Sequence, residues 1–70
     1  MEKIELKGEA IRLGQLLKFA GLVDHGGEAK ARIQAGEVQV NGQVETRRGR
    51  QLQEGDRVAL GGREVVVSYR

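Results

Sequence analysis

The side chains in this chain with chemistry to offer are mostly cations, and their spacing suits phosphate. Arg47, Arg48 and Arg50 fall within four consecutive positions around Gly49. Guanidinium groups present planar donor forks that match phosphate oxygens. Lys30 and Gln34 are four residues apart, so on a helix they stand one turn apart and can follow a nucleic-acid backbone together. Arg12 and Lys18 add two cations at the rim of an earlier amphipathic segment. Arg32 belongs to the same group, although Glu28 lies four residues before it, the favourable order for a surface ion pair. Such a pair contributes only about 0.3–0.5 kcal/mol, so a phosphate can draw Arg32 away. Gly26-Gly27 opens the segment that carries Lys30. Two glycines there leave backbone N–H groups unshielded at the positive end of a helix dipole, which suits a phosphate oxygen. They serve equally well as a tight inter-helix turn. The arginine run has its own plain alternative, a solvated loop that blocks edge-to-edge aggregation.

Catalysis is poorly supplied. The candidate nucleophiles are Ser68, Thr46 and Tyr69, and the sole imidazole, His25, lies far from Ser68 in sequence. Nothing signals a triad, and His25 reads as a capping or surface residue. The chain has no cysteine, and the lone histidine has no ligand partners, so neither a disulfide nor a metal site is expected, and no cofactor. The carboxylates read as solvated groups on strand and helix surfaces. Phe19 and Tyr69 are the only aromatics, and Phe19 is assigned to the core. Modules that hold single strands by stacking bases need aromatic platforms, which this chain is read to lack. Binding here is expected to rely instead on phosphates, 2′-hydroxyls and the shape of folded RNA.

The elements that position these residues follow from periodicity. Leu13, Leu16, Leu17 and Ala20 keep the i, i+3, i+4, i+7 spacing of an amphipathic helix, which Gly21 is placed to end. Asp24 or His25 stands near the N-cap of a second helix, and Asp24 is the better cap by chemistry. Ala29 and Ile33 share that helix's apolar face, and Gly36 falls where a left-handed residue closes it. Val38 and Val40 then alternate with Glu37, Gln39 and Asn41 as a half-buried strand does, and Asn41-Gly42 signals a hairpin. Gln43 to Thr46 is read as the return strand, Arg57 to Leu60 and Val65 to Val67 as two more, with Gly61-Gly62 as their turn. Ile4 to Lys7 alternates as a short edge strand.

Seventy residues make one domain, and about twenty Ile, Leu, Val, Met and Phe side chains suffice for two helices on a small sheet. The net charge of +2 is unevenly spread. Residues 12–50 carry seven cations against four anions, whereas residues 51–70 balance three against three. Such a patch favours phosphate backbones or an anionic surface. No apolar run approaches the roughly 20 residues of a membrane span, and no signal peptide is visible. A cytoplasmic protein without membrane contact is expected.

The run Arg12-Leu13, Leu16, Gly21-Leu22, Glu28-Ala29-Lys30, Ile33, Gly36, Val38, Val40-Asn41-Gly42, Gly55-Asp56 and Val58 resembles the S-four, or alpha-L, RNA-binding domain. Every spacing is kept from Glu28 to Gly42. The resemblance implies an α+β fold, with two short antiparallel helices packed on a small, bent, mainly antiparallel sheet. It also implies non-catalytic binding of structured RNA, ribosomal or transfer RNA, across the helices and the adjoining strand edge, where Gln39 and Asn41 lie. By position, Arg12 matches the family's basic residue before helix one and Lys30 its basic residue on helix two. Two departures stand out. The family often has an acid where this chain has Gly14, and Ser-Arg where it has His25-Gly26. The Gly26-Gly27-Glu28-Ala29-Lys30 form and the Thr46 to Arg50 run resemble a subgroup of small stand-alone bacterial proteins, in which the arginine loop is expected to replace the absent arginine.

These readings converge on a single RNA-binding domain over residues 1–70, with a family-like core over 11–60. The expected RNA surface is Arg12, Lys18, Gly26, Gly27, Lys30, Arg32, Gln34, Gln39, Asn41, Arg47, Arg48 and Arg50. The expected partner is ribosomal RNA or a ribosomal particle, bound by a monomer. The alternative is a protein-interaction or assembly module on the same fold, which predicts no RNA affinity and an exposed apolar patch. A targeting domain of a larger RNA-modifying enzyme is not expected, since the chain starts at Met1 and carries no catalytic segment. DNA binding lacks a helix-turn-helix pattern.

Overall fold

The structure, a computed structural model, describes residues 2–8 and 10–70. Strand β1 (Glu2–Leu6) is followed by helices α1 (Leu13–Phe19) and α2 (Gly26–Gln34) and strands β2 (Val38–Val40), β3 (Gln43–Val44), β4 (Arg57–Leu60) and β5 (Arg63–Tyr69). The strands form one sheet in the order β1-β5-β4-β2-β3. Three pairings are antiparallel. The fourth joins the first and last strands in parallel, with Glu2 opposite Val65 and Leu6 opposite Tyr69. The fold is therefore α+β, with two helices packed on a mixed sheet.

Periodicity explains the core. Leu13, Leu16 and Leu17 from α1 and Ala29 and Ile33 from α2 are buried against Val38, Val40, Val58, Leu60, Val65 and Val67 of the sheet. Burying each large aliphatic side chain contributes about 1.5–3 kcal/mol. Both helices end in the same way. After α1, Gly21 (φ 74°) and Leu22 donate to the Lys18 and Leu17 carbonyls; after α2, Gly36 (φ 78°) and Glu37 donate to Ile33 and Arg32. This double bond pattern is the Schellman motif, and the positive φ it needs favours glycine.

Phe19 is 62% exposed, contrary to the expectation that it packs in the core. At roughly 100° per residue, Leu16, Ala20, Leu13 and Leu17 fill one sector of α1, and Phe19 falls roughly 60° outside it. The return strand is shorter than expected, because Glu45 turns inward after Val44. The cap of α2 is His25, not Asp24. Helix α2 starts at Gly26, so His25 takes the cap position and its Nδ1 accepts from the Glu28 N–H at 3.3 Å. Asp24 lies one residue outside and donates its N–H to the Glu28 carboxylate at 2.9 Å.

One connection places the arginine run. The first N–H groups of a helix have no partner within it. In α1, Leu13 N–H donates to the Arg50 carbonyl at 2.8 Å and Gly14 N–H to the Arg48 carbonyl at 3.0 Å. Leu52 N–H returns a bond to the Ile11 carbonyl at 2.9 Å. The loop is thus stitched to the start of α1. Tyr69 holds the same junction from below. Its hydroxyl accepts from Ile11 N–H at 3.0 Å and donates to the Leu52 carbonyl at 2.6 Å.

Candidate nucleic-acid interface

The stitched loop, the start of α1 and the start of α2 enclose an open cleft of about 400 Å³. Its lining is Arg12, Gly14, Gln15, Lys18, Gly26, Ala29, Arg48 and Gly49. Among the described residues, three cations face it and no carboxylate does. Arg12, Lys18 and Arg48 are exposed, and none of them forms an ion pair among the described residues. Three like charges around one concavity raise its positive potential and attract an anion.

Small residues make this arrangement possible. A Cβ on Gly14 would stand 2.7 Å from Arg48 Cγ and 3.3 Å from its Cδ. Gly14 therefore lets the Arg48 side chain lie across the first turn of α1. A Cβ on Gly49 would be 3.8 Å from an Arg12 guanidinium nitrogen, so Arg12 rests beside that glycine. A Cβ on Gly26 would meet nothing within 4 Å, so the space beside it in the cleft is open. Neither Gly26 nor Gly27 N–H has an acceptor among the described residues, whereas the next N–H, of Glu28, is taken by His25.

The other cations of the arginine run serve the fold. Glu45 is only 8% exposed, which contradicts the reading of the carboxylates as solvated surface groups. It accepts from Arg47 N–H at 3.0 Å, Arg47 Nε at 3.2 Å and Arg50 Nη1 at 2.9 Å. These bonds, the Arg47 side chain's foremost, hold the carboxyl at a pKa of about 2. Arg32 is likewise engaged, with Glu37 at 3.0 Å and Glu28 at 3.3 Å. The Glu37 hydrogen bond leads in raising its pKa, and the bond from Asp24 N–H leads in lowering that of Glu28.

The expected surface is therefore divided. Arg12, Lys18, Gly26 and Arg48 come together in the cleft. Gly27, Lys30 and Gln34 are exposed along α2, and Lys30 and Gln34 lie within roughly 80° of Gly26 around the helix. Arg32 lies roughly 120° to the other side. Gln39 lines a separate shallow depression with Glu37, Arg63 and Glu64. Asn41 has both ends of its carboxamide engaged, donating to Asp56 at 3.0 Å and accepting from Arg57 N–H at 2.9 Å. Gly14, Gln15, Ala29 and Gly49 complete the cleft but were not among the expected site residues. A glycine in the first turn of a helix was the signal that something crosses it there.

The sequence matches the family model of the S4 domain over residues 4–68. It is 44% identical over 59 residues to a probable ribosome maturation protein, RlbA, of Bacillus subtilis (strain 168), covering 84% of this chain and 83% of that protein. The fold is similar to the solution structure of YbcJ from E. coli, described as having an alfaL motif involved in RNA-binding. That likeness has a TM-score of 0.74 and 35% identity, and covers 97% of this chain and 87% of YbcJ. A trimeric structure of Vibrio cholerae heat shock protein 15 is also similar, with a TM-score of 0.69 and 26% identity over 80% of this chain and 58% of that one.

Proposed function

We propose, since this chain belongs to the S4 domain family, that it binds structured RNA without catalysis and that its partner is ribosomal RNA or a maturing ribosomal particle. The observation that carries this reading is the cleft that Arg12, Lys18 and Arg48 line with no carboxylate among the described residues. Its relatives give the class of ligand: YbcJ is described by an RNA-binding motif and RlbA by ribosome maturation. In this reading the RNA backbone enters the cleft, where the three cations and the open Gly26 N–H take phosphate oxygens, with the Gly27 N–H next to it on α2. Lys30 and Gln34 extend the contact along α2. Arg47 and Arg50 shape the loop through Glu45, and Arg48 supplies the guanidinium that other family members carry at the position of Gly26. In this reading the protein works in the cytoplasm.

The reading is tested by fluorescence-anisotropy titration against folded ribosomal RNA fragments, double-stranded DNA and single-stranded RNA at several salt concentrations. It expects tight, salt-dependent binding that prefers folded RNA. Equal, weak binding to all three would reduce the cleft to a general polyanion surface.

A local variant separates the cleft from overall charge. Gly14→Ala leaves the net charge unchanged but sets a methyl group against Arg48. Alanine exceeds glycine in helix propensity by up to about 1 kcal/mol. The expected outcome is an equal or higher melting temperature with RNA affinity lowered about fivefold, roughly one phosphate contact. Unchanged affinity would mean that Arg48 does not act from where it lies.

A further inference from the structure

A second cleft adjoins the first, on the side of α1 that the periodicity left unexplained. Phe19 is the residue after Lys18, so the two Cα atoms are about 3.8 Å apart. Lys18 lines the cationic cleft, whereas Phe19 lines an open, largely apolar one of about 470 Å³ with Leu6, Ile11, Lys7 and Glu5. Glu5 is paired with Arg70 at 2.9 Å, and Lys7 forms no ion pair among the described residues. The second cleft thus combines an exposed aromatic face, an aliphatic floor and one free cation at its edge. Its volume falls within the roughly 300–1,000 Å³ of small-molecule sites.

We propose that Phe19 is a stacking platform for one unpaired nucleobase of the RNA whose phosphates occupy the neighbouring cleft. This rests on the RNA-binding reading and adds to it a preference for RNA with an extruded base. An unpaired base has an apolar face that stacks on an aromatic ring, and its flanking phosphates are anionic. Lys18 on one side of Phe19 and Lys7 on the other complement that pattern. A phenylalanine exposed in this way otherwise gains nothing from folding, because the adjacent face of α1 is already filled by Leu13, Leu16 and Leu17.

The chain contains no tryptophan, so Phe19→Trp installs a single reporter. The probes are an RNA hairpin with one bulged adenine and the same hairpin fully paired. The expected result is that the bulged hairpin quenches the tryptophan and the paired one does not. Phe19→Ala should weaken binding of the bulged hairpin about tenfold and leave the paired hairpin and the salt slope unchanged. Phe19→Leu, which keeps an apolar side chain but has no ring, should behave like alanine. The proposal is overturned if Phe19→Leu binds as the wild type does, or if both hairpins lose affinity equally. It is also overturned if Phe19→Ala changes only the mass of a self-associated species, which would assign the cleft to contacts between copies of the chain. If the wild type binds neither hairpin at any salt concentration, the RNA-binding reading fails and this proposal with it. If both bind with a salt slope and Phe19 is indifferent, only this proposal fails.

Discussion

Replacing Arg12, Lys18 and Arg48 together with alanine is expected to weaken binding to folded RNA about 100-fold near physiological salt. It should also lower the slope of log affinity against log salt by about 2–3. Each phosphate contact contributes about 0.7–0.9 to that slope, which near ~0.15 M salt is roughly a fourfold to fivefold factor in affinity. Three such factors multiply to about 100. The fold should survive, because all three side chains are exposed and none is ion-paired among the described residues. Arg32→Ala is the contrast. Its guanidinium is engaged by Glu28 and Glu37, so the slope should fall by less than one contact. A sharper arm uses the open space at Gly26. If Arg48 stands in for an arginine there, Gly26→Arg should restore most of the affinity lost in Arg48→Ala. Anisotropy titrations over a salt series measure all of these. A triple variant that keeps its slope would remove the cleft from the RNA surface.

Glu45→Gln is expected to destabilise the domain by about 1–2 kcal/mol, the scale of hydrogen bonds to a charged group with partly solvated partners. A domain of this length has roughly 4–10 kcal/mol in total, so the loss should be plain in a urea midpoint. The carboxylate's folded pKa, about 2, lies below its ordinary value of 4.5. Its contribution is therefore complete above pH ~4.5 and is lost as pH falls from there toward 2. Wild-type stability should decline through that window, and the decline should be shallower in Glu45→Gln. Glu28 keeps part of it, because its pKa is also lowered. RNA affinity should fall as well, since the Arg48 and Arg50 carbonyls that receive the first N–H groups of α1 belong to the loop that Glu45 clamps. Parallel pH curves for the two proteins would show that the clamp stores no folding energy.

What the sequence makes legible is local. Ala29 and Ile33, Gly36, Val38 and Val40, and Asn41-Gly42 each signal through neighbours within four residues, and α2, β2 and its turn lie where those signals put them. Strand β4 spans the expected Arg57 to Leu60. What escapes is set by distant partners. The parallel pairing of β1 with β5 joins residues more than sixty apart, and no local pattern encodes its register. Glu45 reads as a strand-surface acid until Arg47 and Arg50 fold back on it. Phe19 reads as core because aromatics are usually buried, whereas Leu13, Leu16 and Leu17 fill the buried sector of α1 and Phe19 falls outside it. His25 displaces Asp24 as the cap because the helix starts one residue later than cap chemistry alone suggests. For the candidate site, the three cleft cations are all among the residues expected from the sequence, but their grouping is not. Four of the expected residues meet in the cleft, while Arg32, Arg47 and Arg50 are spoken for by carboxylates. Gly14 was the best clue to that grouping, since a glycine inside a first helical turn costs stability, a cost that a close crossing by another side chain explains.

The most direct test is an amide NMR titration of the whole chain with a folded ribosomal RNA fragment. The cleft offers three glycine amides, Gly14, Gly26 and Gly49, as reporters from three separate segments. These three and the Arg48 amide are expected to shift together and saturate at one RNA concentration, while the β4–β5 turn at Gly61 and Gly62 stays still. Shifts centred on that turn, or on the Gln39 edge of the sheet, would contradict it.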